Sequence, residues 1–178
     1  LADIRAIVAD AARHGLPVAI CGGRHAMGGQ QFAADAVLLD MRHMRRVLAF
    51  DAAAGLVEAE AGIEWPELID YLESAPGPEG RRWSIRQKQT GADRLSLGGC
   101  LSANIRGRGL RMRPFIGDVE AFTLVDANGD LRHCSRTADR ELFALAIGGY
   151  GLFGVIASVT LRLAPRQKMR RDVRLLEL

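Results

Sequence analysis

Residues 17–40 read PVAICGGRHAMGGQQFAADAVLLD, and the rest of the chain is best read outward from them. A short apolar strand, Val18–Cys21, runs into a loop with four glycines in eight residues, Gly22, Gly23, Gly28 and Gly29, and a second apolar strand, Ala36–Asp40, follows. Glycine permits positive φ and close backbone approach, so such a loop can turn several N–H groups toward one anion. His25 sits in the middle of it. A diphosphate held by backbone amides beside a histidine points to a large phosphorylated cofactor.

Helical spacing over Ile4–Arg13 predicts a helix that stops at Gly15–Pro17. A chain opening directly on a helix reads as a fragment or a trimmed piece of a longer one. Beyond the glycine loop, Val47–Phe50 and Leu56–Ala61 form a predicted hairpin, and Trp65–Glu73 a helix with Pro66 in its first turn. Ala75–Arg82 is Pro/Gly-rich loop, and Leu95–Asn104 becomes a short helix after Gly98–Gly99. Val119–Asp126 and Leu131–Ser135 flank Asn128–Gly129–Asp130 as a second hairpin, followed by a helix over Asp139–Ile147. Val155, Ala157, Val159, Leu161 and Leu163 alternate with Ser158, Thr160 and Arg162, the pattern of a half-buried strand.

Composition is that of an ordinary globular chain: 178 residues, 48% hydrophobic, 25% charged, net charge +3. Basic residues bunch at Arg81–Arg94, Arg106–Arg113 and Arg162–Arg174, where they serve an anionic ligand or simply the solvated surface. The aromatics do not interleave with the arginines, which argues against nucleic acid as a partner. Cys21, Cys100 and Cys134 lie far apart with no metal-ligand spacing, so neither a disulfide framework nor a zinc site is read. That usage fits a reducing compartment, and with no signal peptide visible the expected location is cytoplasmic. Cys100 is a candidate redox thiol only by nearness to the cofactor segment. No role is assigned to His14, His43 or His133.

Two patterns mislead. Gly149–Tyr150–Gly151–Leu152–Phe153–Gly154 is a literal G-x-G-x-x-G, but it has a helix before it and a strand after it, the reverse of the dinucleotide fingerprint. It reads as a tight turn from helix into strand. Leu142–Leu161 carries no charge, yet four glycines break it and its second half has period two, so it is read as buried helix, turn and central strand, with no membrane span.

The order of these pieces resembles the flavin-binding domain of the vanillyl-alcohol oxidase/p-cresol methylhydroxylase (PCMH-type) superfamily. The segments that carry the resemblance are CGGRHAMGG at 21–29, VLLDMRHMRRVLAFD at 37–51, VEAEAGIEWPELIDYL at 57–72, TGADRLSLGGCLSANIRGRG at 90–109, IGDVEAFTLVDANGDL at 116–131 and ELFALAIGGYGLFGVIASVTLRLAP at 141–165. The later ones look most like the branch of sugar-alcohol and aldonolactone oxidases and decaprenylphosphoryl-ribose oxidase. The resemblance implies an α+β fold, with a small βαβ-like subdomain (1–73), a connecting cofactor segment (74–117), a larger, mostly antiparallel sheet flanked by helices (118–165), and a tail (166–178) leading to a substrate domain outside this chain.

It also implies FAD as cofactor. Cys21, Gly22, Gly23, Arg24, His25, Ala26, Met27 and Gly28 match the pyrophosphate loop; Thr90 and Gly91 match the turn under the ADP portion. Ser96, Leu97, Gly98 and Gly99 match a second diphosphate segment, where glycines at a helix start bring N–H groups close. Ala103, Asn104, Ile105 and Arg106 match the stretch beside the isoalloxazine, and Val155 and Ile156 match a backbone edge that reads a ring. His25 falls where several relatives bond the flavin covalently, and the residue-level reading leaves two roles open, that bond or a hydrogen bond to the cofactor. Arg106, where some relatives carry histidine, is the candidate for stabilising charge on the reduced flavin. The implied activity is FAD-dependent oxidation of an alcohol-type small molecule (sugar, polyol or lactone-like) by hydride transfer. The alternative is a flavin-binding electron-transfer module acting with a partner subunit.

Overall fold

A computed structural model describes residues 1–75, 77–89, 91–107, 109, 111–168, 170, 172 and 173. In chain order the elements are α1 (Ala2–Arg13), β1 (Val18–Cys21), β2 (Val37–Asp40), β3 (Val47–Asp51), β4 (Leu56–Glu60), α2 (Trp65–Ser74), β5 (Trp83–Ser84), α3 (Leu97–Ser102), β6 (Val119–Val125), β7 (Leu131–Ser135), α4 (Arg140–Ala146), β8 (Val155–Arg162) and β9 (Ala164–Pro165).

The quoted stretch folds as two parallel strands, with Val18 opposite Val37 and Cys21 opposite Asp40. Parallel neighbours need a crossover, and this one is the loop of residues 22–36 with no α-helix in it. The small unit is therefore helix–strand–loop–strand rather than the expected βαβ: α1 precedes both strands. It buries Ile4, Val8 and Ala11, and Arg5 Nε donates to the Gly129 carbonyl at 2.8 Å, fixing the helix against the β6–β7 turn.

The large sheet has the order β3-β4-β8-β6-β7, antiparallel throughout. The expected division at residues 73 and 118 does not describe sheet membership, because β3 and β4 join strands from after residue 118. The change of sheet falls between β2 and β3. β8 is the central strand, and Val155–Val159 are all buried, Ser158 included. The expected alternation holds at Val159–Arg162, where Thr160 and Arg162 are half-buried, and departs at Ser158, whose buried hydroxyl is satisfied by donating to Glu58 Oε1 at 2.7 Å.

Local chemistry fixes the connections. Glu64 N–H donates to Glu67 Oε2 at 3.2 Å, Pro66 lies in the first turn of α2, and the helix buries Trp65, Leu68 and Leu72. In the β6–β7 turn the Asp126 carboxylate accepts from Asn128 N–H at 2.9 Å and Asp130 N–H at 3.1 Å, while Gly129 takes φ 82°. The unanticipated pair β5–β9 is pinned by Trp83, which is buried and donates to the Ala52 carbonyl at 3.0 Å. Aromatic contacts knit the core: Trp65 meets Phe115 edge-on at 5.7 Å and Phe122 stacks on Phe143 at 5.5 Å. Among the described residues no helix is long and apolar enough to cross a membrane.

Candidate cofactor site

The glycine loop leaves β1 and lies against the segment before α3. Neither Gly22 nor Gly23 has positive φ; they are small because the chain behind them is close. A Cβ at 22 would fall 2.0 Å from Ser96 Oγ, and one at 23 would fall 2.3 Å from the Arg94 carbonyl oxygen. Gly23 N–H donates to Ser96 Oγ at 3.4 Å, and Ser96 is buried. The left-handed positions in the loop are Arg24 (φ 58°), Gly29 (φ 68°) and Asp35 (φ 51°). The Arg24 guanidinium donates to Asp40 Oδ2 at 3.2 Å and lies over the Phe32 ring. The Asp40 carboxyl is held well below the usual range, chiefly by its hydrogen bonds from Arg42. The backbone N–H groups of Arg24, His25, Ala26 and Met27 have no acceptor among the described residues.

α3 forms the floor. Its first two N–H groups are already engaged: Leu97 donates to the Ile63 carbonyl at 2.8 Å and Gly98 to the Ala61 carbonyl at 2.7 Å. Gly98 is required because a Cβ there would meet Ala61 Cβ at 2.9 Å. The expected use of these two amides as anion donors does not hold: they tie α3 to the turn after β4, and Leu97 lies in the core. Cys100 lines the cavity and is buried, and burial pushes its thiol up to about 12, which disfavours the reactive thiolate.

The third wall is the turn set aside as a false fingerprint. Gly148, Gly151 and Gly154 have φ of 84°, 84° and 135°, and Tyr150 has φ 49°. The turn is fixed onto the C-terminal end of α3, with Gly148 N–H donating to the Leu101 carbonyl at 3.1 Å and Tyr150 N–H to the Ser102 carbonyl at 3.0 Å.

These three walls enclose a cavity of about 350 Å³, within the usual size of cofactor sites. Of the residues expected from sequence, Gly22, Gly23, Arg24, His25, Ala26, Ser96, Gly98, Gly99, Ala103, Ile105 and Ile156 line it. Cys21, Leu97 and Val155 are buried beside it instead, and Met27 projects fully into solvent. Gly28 and Gly91 stand off the cavity. Asn104 is used internally, its Oδ1 accepting from Ile116 N–H at 3.0 Å. Arg106 is exposed and off the lining, which removes the geometric basis for the role expected of it beside the flavin. Thr90 lies outside the described residues. The sequence reading missed Ile20, Gln30, Gln31, Met41, Ala61, Gln89, Leu95, Ser102, Tyr150, Gly151 and Gly154. The glutamines carried no periodic signal; the glycines carried one, but it was read only as a turn.

A cavity with unengaged loop amides, amide side chains and few ionisable groups is what a bulky dinucleotide with a diphosphate needs, and the comparisons agree. The family model described as FAD binding domain matches residues 1–135. Cytokinin dehydrogenase 7 of Oryza sativa subsp. japonica is 34% identical over 164 residues, 89% of this chain and 30% of that protein. An uncharacterized oxidoreductase in the fasciation locus of Rhodococcoides fascians is 29% identical over 189 residues, 98% of this chain and 38% of its own length. Decaprenylphosphoryl-beta-D-ribose oxidase of Mycolicibacterium smegmatis is 26% identical over 166 residues, 92% of this chain and 35% of its own length. The chain thus spans about a third of the length of the curated relatives it matches.

Fold and site together define a flavin-binding module of PCMH type. The chain belongs to the FAD binding domain family, and FAD is its cofactor. The residues present fit that group. Among the described residues, the buried Gln31 Oε1 in the cavity wall has no partner, and the N–H groups of Arg24, His25 and Ala26 have no acceptor.

Proposed function

We propose that this chain is the FAD-binding part of an oxidoreductase that oxidises an alcohol-type small molecule, sugar, polyol or lactone-like, supplied to the flavin by a substrate domain outside this chain. The observation that carries the reading is the cavity of about 350 Å³ between the glycine loop and α3. When bound, FAD supplies the hydride-accepting centre. The chain supplies the hold and the shape. The amides of Arg24, His25 and Ala26, which line the cavity, take the diphosphate, as a nest of successive N–H groups does. Arg24 is turned to Asp40 and stiffens the loop, so the diphosphate is held by backbone rather than by a side-chain cation. Ser96 keeps the loop at its distance from α3, and Gln30, Gln31 and Gln89 give the ring edges neutral donors and acceptors.

His25 is exposed and lines the cavity, so its imidazole is open to bond the flavin covalently, and that bond is part of the reading. Apart from His25, the titratable lining groups among the described residues are Arg24, Cys100 and Tyr150, and no carboxylate is among them. The base therefore comes from the substrate domain. The alcohol class is supported by the printed name of the M. smegmatis relative, a ribose oxidase; the rice relatives are named for cytokinin, so the two substrate families compete in the test.

The test begins with the visible spectrum of the purified protein and of its acid-precipitated pellet. Flavin colour that stays in the pellet, and is lost to the supernatant in His25→Ala, is expected. Colour released from the parent protein would remove the covalent bond while leaving FAD in place. The full-length protein is then mixed anaerobically with sugars, polyols, lactones and a cytokinin. Bleaching by the first three supports the alcohol class, and bleaching by cytokinin alone refutes it.

A further inference from the structure

Tyr150 lies beyond the region matched by the FAD binding domain family, which ends at residue 135, and it lies outside the buried core. It stands in the turn between α4 and β8 at φ 49°, a left-handed conformation that a residue with a side chain keeps only where its surroundings fix it. The fixing contact is its N–H bond to the Ser102 carbonyl at 3.0 Å. The turn also reaches the first wall, since a Cβ on Gly151 would lie 3.4 Å from Ile20 Cδ1.

The backbone is thus held on two sides while the ring is free. It is 69% exposed and takes part in no aromatic pair or cation–π contact among the described residues. Yet Tyr150 lines the cavity, and it is the one Phe, Tyr or Trp that does so among the described residues. The lining also includes Ile20, Ile156, Gly151 and Gly154, and Ser102, whose carbonyl holds the Tyr150 backbone. A planar ring on a rigid turn, unpartnered within the protein and set at a cavity for a molecule with two flat ring systems, is placed to stack.

We propose that Tyr150 is a cofactor-stacking residue, its ring lying against one of the two aromatic ring systems of bound FAD, adenine or isoalloxazine. The proposal rests on the reading of this cavity as the FAD site. Stacking of a nucleobase on an aromatic side chain is worth on the order of five- to a hundredfold in affinity, and a largely exposed ring belongs near the lower part of that range, about tenfold.

The experiment takes as its parent the His25→Ala chain, in which flavin stays exchangeable, and adds Tyr150→Leu, which keeps a Cβ at φ 49° and loses the ring, or Tyr150→Phe, which keeps the ring. FAD and FMN are titrated by flavin fluorescence and ADP by displacement, alongside melting temperatures without ligand. Tyr150→Leu is expected to bind FAD about tenfold more weakly at unchanged ligand-free melting temperature, with Tyr150→Phe within about twofold of the parent. A loss shared by ADP and not FMN puts the stack on adenine; a loss shared by FMN and not ADP puts it on the isoalloxazine. If Tyr150→Leu lowers the ligand-free melting temperature, Tyr150→Trp decides, since stacking requires that it restore affinity and that its added emission fall when FAD binds. Parent and Tyr150→Leu binding FAD alike overturns the stacking alone. A parent that binds neither FAD nor ADP overturns the reading of the cavity and the stacking with it.

Discussion

Replacing Gly22 by alanine tests the seam between the glycine loop and α3. The new methyl would sit 2.0 Å from Ser96 Oγ and 2.8 Å from Ser96 Cβ, where non-bonded carbon and oxygen need roughly 3.5 Å. The Ser96 hydroxyl can turn toward the cavity it lines only by giving up the bond from Gly23 N–H, and Ser96 Cβ can move only with its backbone. Overpacking of this kind costs about 1–3 kcal/mol, and the lost hydrogen bond adds about 0.5–1.5 kcal/mol. The sum of about 2–4 kcal/mol corresponds to a fall in melting temperature of roughly 5–15 °C for a chain of this size. Urea denaturation of Gly22→Ala without ligand measures the cost directly, with the slope unchanged because the exposed surface is nearly the same. The double substitution Gly22→Ala/Ser96→Gly removes both clashing atoms. Ser96 makes no side-chain capping bond to α3, so its own loss is minor and the double variant is expected to recover more than half of the stability. A single variant within about 0.5 kcal/mol of the parent, or a double variant no better than the single, would refute the account of why residue 22 is glycine.

Further outcomes follow from other parts of the structure. Burial alone would raise the Glu60 carboxyl, but hydrogen bonds from the Arg46 backbone and guanidinium outweigh it and leave it lowered. A lowered folded value means stability present above the unfolded carboxylate range and lost as pH falls through the folded value. Glu60→Gln should therefore flatten the acid limb of a melting-temperature-against-pH profile and cost about 1–3 kcal/mol at pH 7; an unaltered acid limb refutes it. Cys100 and Cys134, pushed up to about 12 and about 11 by burial, should resist alkylation at pH 8 in the folded chain, and mass spectrometry showing labelling at the rate of a free thiol would contradict the burial. Arg106→Ala should leave FAD affinity within about twofold, because the residue does not line the cavity; a tenfold loss would place it back in the site.

Sequence patterning reaches the elements and stops at their arrangement. The hairpins, α2 and the loop between β1 and β2 are local events, decided by periodicity and turn chemistry within a few residues. The seat of β8 between β4 and β6 is not: its register pairs Val57 with Leu161 and Phe122 with Val159, over separations that no window spans. β5 and β9 have two residues each, too short for alternation to show. At the site, the glycine loop was legible because glycine is conspicuous. Gln31 and Gln89 were not, since an amide in a loop looks the same whether it faces a cofactor or water. Asn104 shows the opposite error: it fits a cofactor segment by resemblance, while the fold uses its side chain to hold Ile116 N–H. Gly98 fits for a reason other than the one expected, contact with Ala61 rather than with an anion.

The late position of β8 in the chain also governs how the domain is made. Until residue 162 has left the ribosome, β4 and β6 each present a raw hydrogen-bonding edge, and the pairs either side of them remain separate hairpins. Closure is then a single long-range event that joins both hairpins at once and waits for β8 to be made. The family match stops at residue 135, before this strand, and a truncation there would yield two aggregation-prone halves in place of a domain.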